Sequence, residues 1–307
     1  MPTLRDFQNR DFIGYADEPP KVEWPHGARL AVNVVVNYEE GGEACVLHGD
    51  DACETIGIDS ASAPMGVRDL DIESTYEYGS RVGFWRLLDI FTEYEIRMSW
   101  LCVGKALEMN PEAARAITAN GHEAMDHGYR WGRMWNLEGK SREEEREMHL
   151  RSITAIKRAT GQKPASQFIR SATLQTRELL PELGYLYDSN WAAGDLPMFV
   201  GVKGKPWLLV PYNRTVNDGR YWRSNGYVEP NQFLRNAKAT FDRLYKESAR
   251  VPGMMTLPLH ARISGLPGRA NAVSKFLAHA RSFPGVWFTR RDEIAKVWWE
   301  QFGPAAS

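Results

Sequence analysis

The run RLAVNVVVNY, residues 29–38, is β-branched and almost continuously apolar, and two carboxylates, Glu39 and Glu40, follow it at once. Such a strand is buried on both faces, so helices must cover the sheet that contains it. The demand recurs along the chain. MSWLCVG (98–104), HEAMDH (122–127), SQFIR (166–170), YLYD (185–188), WLLVPY (207–212), GMMTLPLH (253–260) and GVWFTRR (285–291) read as further short strands. Between them lie helical patterns at 80–95, 111–121, 141–161, 176–184, 230–248, 268–281 and 291–301. The clearest opens on Asn110 and Pro111, a capping side chain before a proline at the first helical position, and stops at Gly121. About eight buried strands alternating with helices predict a parallel α/β architecture, a barrel or a doubly wound sheet. No linker interrupts the pattern, so residues 29–307 read as one catalytic domain behind an N-terminal arm of residues 1–28.

Composition removes several function classes. Lys and Arg total 38 against 39 Asp and Glu, a formal charge of -1, so no basic field exists for nucleic acid or an anionic membrane. Three cysteines without a CxxC pair suit a reduced compartment, and the N-terminus lacks an apolar signal region, so a soluble cytoplasmic protein is expected. The chain contains no GxGxxG, Walker loop, GxSxG or HExxH, which removes the sequence anchors of nucleotide, serine-hydrolase and zincin chemistry.

What remains is the placement of polar residues. Glu39 and Glu40 end the first strand, Asp126 and His127 the third, Arg170 the next, then Asp188, and His260 a late one. In parallel α/β folds these carboxyl ends open onto the active site, so groups distant in sequence converge there. Either glutamate is a candidate general base, His260 a candidate acid, and Arg170 a cation to orient a carboxylate or hold a substrate carbonyl. His122, at the opposite end of its strand, reads as structural.

In order, these ends resemble the motifs of the polysaccharide deacetylase (NodB-like, carbohydrate esterase) superfamily. NYEEG stands where the family has TFDDG, HGYRW where it has H(S/T)xxH, IRSAT at the arginine motif and LPLH at the final Leu-x-His. The resemblance implies a distorted (β/α) barrel of about seven or eight parallel strands. It puts Glu39 at the base position, Glu40 and His127 at metal-ligand positions, Arg170 at the conserved-type arginine and His260 at the general acid. Trp131 occupies the second histidine position, and an indole nitrogen carries a hydrogen and has no lone pair to give. With that ligand lost, the chain resembles the branch of the metal-independent allantoinase and related cyclic imide and amide hydrolases. Phrases such as NYEEGGE, YGSRVGFWRLLDIF, LVPY, VNDGRYW and LHARISGLPGR point the same way.

The function implied is hydrolysis of a non-peptide C–N bond in a cyclic amide, imide or ureide. No cofactor is expected; Zn2+, on Glu40 and His127, belongs to the alternative of a metal-dependent N-deacetylase of a sugar or peptidoglycan fragment. A catalytically silent small-molecule-binding protein is the third reading. Tyr38, Trp131, Asp188, Asn190, Trp191 and Met198 are the expected substrate-contacting residues. The segment YDSNWAAGDLPMF is less acidic than its allantoinase counterpart, favouring a less polar ring than allantoin. The partner is a small-molecule substrate, and the resemblance implies a homo-oligomer, a tetramer. Histidine at position 131 is expected to restore a divalent-metal site.

Overall fold

The computed structural model describes residues 5–56 and 64–304. The first apolar run forms β1 (Leu30–Tyr38), all of it buried. It pairs in parallel with β8 (Gly253–His260) along its length, from Leu30↔Gly253 to Asn37↔His260, and with β2 (Ser99–Cys102) at its upper end. Its lower end also pairs with β9 (Val286–Phe288). From β2 the sheet continues through β3 (Glu123–Asp126), β4 (Ser166–Gln167), β5 (Tyr187–Asp188) and β7 (Lys205–Leu209) to an edge at β6 (Met198–Val202). Among the described strands only the β6–β7 hairpin is antiparallel, and the sheet curls into a half-barrel.

Helices clothe the outside: α1 (Leu70–Tyr78), α2 (Phe84–Glu93), α3 (Gly104–Met109), α4 (Pro111–Ala119), α5 (Arg142–Thr160), α6 (Leu174–Glu182), α7 (Pro230–Glu247), α8 (Ala261–Ser264), α9 (Pro267–Arg281) and α10 (Arg291–Phe302). Local chemistry sets their ends. Asn110 Oδ1 accepts the Ala113 N–H at 3.1 Å, Ser141 and Glu144 form a capping box, and Gly161 takes a left-handed φ of 74° to close α5. Four elements, α1, α3, α8 and β6, lie outside the pattern read from sequence. α1 buries only Ile72 and Tyr76, too few apolar residues to announce a helix, and runs through a π-helical turn (Gly79–Gly83) into α2. β6 and its turn at Lys203 and Gly204, both at positive φ, interrupt the strand–helix alternation.

Alternation along the strands decides which residues face inward. On β1, Leu30, Val32, Val34, Val36 and Tyr38 pack with the outer helices, whereas Ala31 and Val35 belong to the inner cluster and Asn33 and Asn37 hydrogen-bond across the interior. The same parity turns Met254 and Thr256 of β8 inward, and places Glu39 and His260 next in those inward rows. Tyr38 therefore faces outward, against Phe84 and Trp100.

The gap between the sheet edges is bolted from inside. The fully buried Arg291 guanidinium donates to Val210 O and Pro211 O (both 2.7 Å), Ser189 Oγ, Asn33 Oδ1 and Thr256 Oγ1, joining both sides of the seam. Below it Glu123 accepts from Ser99 Oγ and Tyr187 OH, and burial pushes its carboxyl up to about 7. Above it Tyr212 stacks on Phe168 at 4.0 Å, flooring the barrel mouth.

Candidate active site

Glu39 is the centre of the mouth. Its Oε1 lies 3.1 Å from His127 Nε2 and 3.7 Å from His260 Nε2, and its Oε2 lies 2.7 Å from Arg262 Nη1. β1, β3 and β8 each deliver one of the first three groups at a carboxyl end, and Arg262 arrives on α8, one residue past Ala261. Glu39 is 1% exposed, His127 5% and His260 9%, so the imidazoles form the more accessible edge of the cluster.

Burial alone would raise the Glu39 carboxyl, but Arg262 and the two imidazoles outweigh it and hold it down at about 2. Glu40 differs, although it is adjacent. Its oxygens accept the backbone N–H groups of Glu39 (2.9 Å) and Arg262 (3.1 Å), and burial raises its carboxyl. Glu39 thus faces the imidazoles, while Glu40 buttresses the loop behind it.

The histidines are oriented from outside. Phe168 O can only accept, so His127 donates its Nδ1–H to it at 2.5 Å, which turns Nε2 toward Glu39 Oε1. His260 donates Nδ1–H to Asp218 Oδ1 at 2.6 Å, while Asp218 Oδ2 accepts the His260 backbone N–H and the Ser264 hydroxyl. Desolvation lowers the His260 imidazole, but Asp218 and Glu39 more than reverse this and leave it raised, so it favours the protonated form. Asp218 and Arg262 went unrecognised in the sequence. The phrases DGRYW and LHARISG contain them, but nothing local marks Asp218 or Arg262 as facing His260 or Glu39.

Trp131 lies beside the cluster with its ring over Arg262, its backbone N–H held by Gly42 O at 2.8 Å. Other expected contacts lie elsewhere. Arg170 is exposed in a turn: β4 ends at Gln167, and the chain swings the arginine out to a cleft of about 240 Å³ beside Trp135 and Arg133. Arg262 holds the carboxylate-pairing place instead. Tyr38 points into the outer core, with its hydroxyl on Ser80 Oγ at 2.7 Å. Asp188, on the outward parity of β5, pairs with Arg177 at 2.8 Å. Asn190 accepts the Ile169 N–H through Oδ1, and Trp191 and Met198 pack with Leu179, Leu180 and Val200. These four are tied to α6 and the β6–β7 hairpin rather than to the mouth. His122 accepts the Met98 N–H.

The metal centre implied by the deacetylase motifs does not fit these residues. Among the described residues no three His, Cys, Asp or Glu side chains are arranged to hold an ion. Glu40, a ligand on that scheme, has its oxygens engaged by backbone N–H groups, and a guanidinium stands against both carboxylates, 2.7 Å from Glu39 and 3.3 Å from Glu40.

Residues 67–184 match the family model described as polysaccharide deacetylase. A candidate polysaccharide deacetylase of Schizosaccharomyces pombe is 36% identical, covering 95% of this chain and 97% of its own. The crystal structure of a candidate polysaccharide deacetylase from Pseudomonas aeruginosa PAO1 superposes with a TM-score of 0.91 at 40% identity, covering 96% of this chain and 99% of that one. The crystal structure of Puue allantoinase gives the same TM-score, 0.91, at 38% identity, again over 96% and 99% of the two chains. With such identity sustained over nearly its whole length, and a half-barrel carrying the family's strand-end motifs, the chain belongs to the polysaccharide deacetylase family.

Proposed function

We propose that this hydrolase opens a non-peptide C–N bond of a cyclic amide, imide or ureide without a metal ion. One observation carries the reading: a buried Glu39 stands between two imidazoles, with the Arg262 guanidinium at its other oxygen. Glu39 takes a proton from water as the oxygen attacks the ring carbonyl. His260, steered by Asp218, gives its Nε2 proton to the ring nitrogen as the C–N bond breaks. Loss of that imidazolium charge removes one of the influences holding Glu39 down, so base and acid strengthen each other through the step. His127, with Nε2 facing Glu39, is placed to donate to the developing oxyanion. A divalent ion supplies several kcal/mol of such stabilisation in metallohydrolases. An imide carbonyl is more electrophilic than an acetamide and needs less of it.

The likeness to Puue allantoinase supports the cyclic-amide class, and the name of the Schizosaccharomyces pombe relative supports the alternative, a metal-dependent N-deacetylase. Hydrolysis of a panel of imides, lactams, ureides and acetylated sugars, with metal content measured on the same sample, separates them. Turnover of a cyclic substrate that survives a strong chelator is expected; essential stoichiometric zinc overturns the reading. No helix among the described residues is long and apolar enough to cross a membrane. We also propose a homo-oligomer of four chains, to be checked by light scattering.

A further inference from the structure

Arg262 is a built feature rather than an incidental ion pair. Its side chain is fully buried, and its guanidinium carbon lies 4.5 Å from the Tyr76 ring centroid, 4.9 Å from that of Trp131 and 5.0 Å from that of Trp222. Three aromatic faces and two carboxylates confine one cation. The backbone is shaped to admit it. α8 lies against the π-helical turn, a local irregularity that recurs at functional sites. A Cβ on Gly79 would stand 2.6 Å from Glu40 Oε1 and 2.8 Å from Arg262 Cβ. A Cβ on Gly83 would meet Ala261 O at 2.2 Å, and one on Gly265 would meet the Gly83 Cα at 2.3 Å. Any side chain at these glycines would push α8, and Arg262 with it, away from Glu39.

We infer that the Arg262 guanidinium is the resident cation of this site, neutralising Glu39 and Glu40 in a divalent ion's stead and excluding one, so that metal exclusion rests on Arg262 as well as on Trp131. Arg262 touches no substrate, since its side chain is sealed; it is a positioning residue acting through Glu39. Trp131→His alone then does not make a metal centre, because the new ligand meets a site already holding a positive charge. The same substitution also removes one wall of the cage.

The inference rests on the metal-free reading above, but its test needs no substrate. Purified full-length Trp131→His, Arg262→Met and the double variant, each checked for folding by circular dichroism, are titrated with Co2+ and read by its visible d–d absorption. Only the double variant is expected to bind one equivalent, on the order of 100-fold or more tighter than Trp131→His. Arg262→Gln replaces Arg262→Met if the latter does not fold. Tight stoichiometric binding by Trp131→His alone overturns the inference, as does a folded double variant that binds no better than that single one. A failed substrate screen leaves this titration intact, and a failed titration leaves the substrate class intact.

Discussion

Two buried arginines sit in one half-barrel and do opposite work. Arg291, at the barrel's waist, spends its N–H groups on two carbonyls, two hydroxyls and an amide oxygen, and no reacting group faces it. Arg262, at the mouth, faces carboxylates and aromatic rings instead, and the Glu39 it pairs with is shared by two imidazoles. A buried polar network whose groups are fully matched is inert and fastens the structure. One that crowds ionised groups against each other holds protons ready to move. The same residue type therefore closes a seam in one place and tunes a base in the other.

Breaking the mouth should cost chiefly activity. Glu39→Gln keeps the shape and removes the base; a loss of turnover of about 1,000-fold or more is expected in a variant that remains folded by circular dichroism, although Arg262 loses a buried charge partner. Near-normal kcat in this variant would move the chemistry elsewhere. Breaking the waist should do the reverse. Arg291→Met strands the Val210 and Pro211 carbonyls, and about 3 kcal/mol of stability should be lost in urea unfolding, while kcat per folded molecule stays within a few-fold.

Asp218→Asn sharpens the contrast by removing the charge behind the His260 imidazole. Asp218 raises His260, and the acid form is present below that raised value and disappears as pH rises through it. Removing the charge should move the alkaline limb of the kcat/KM profile to lower pH and cut activity by about 10–100-fold at neutral pH. An unmoved limb would detach His260 from the acid role. The smallest effect belongs to Arg170→Ala: exposed in its turn, it should change kcat by less than about 3-fold. Collapse of activity there would mean the arginine reaches the mouth when substrate binds.

Much of the site was legible in sequence because strand-end chemistry is local. Glu39, His127 and His260 each follow an apolar run, and period-two alternation assigns them inward once the strand is recognised. Where expectation and structure part, the cause is either the parity of the last strand residues or the chain's direction after the strand ends. Arg170 continues the inward row of β4 on paper, yet that strand stops at Gln167. Asp188 and Tyr38 fall on outward parity, and Asn190, Trp191 and Met198 follow the chain into the loop and hairpin beside α6.

The amino-acid order by itself determined the alternation of buried strands and helices, the family motifs and the loss of the second histidine at Trp131, because these depend on neighbours in the chain. Only the tertiary structure decided that Glu39 rather than Glu40 meets the imidazoles, that Asp218 steers His260, and that Arg262 rather than Arg170 supplies the cation. Each of those outcomes depends on which distant segments the curl of the sheet brings within 2.6 to 3.7 Å, and on the glycines that let α8 approach; charge at that range, out of water, sets what each carboxylate can do.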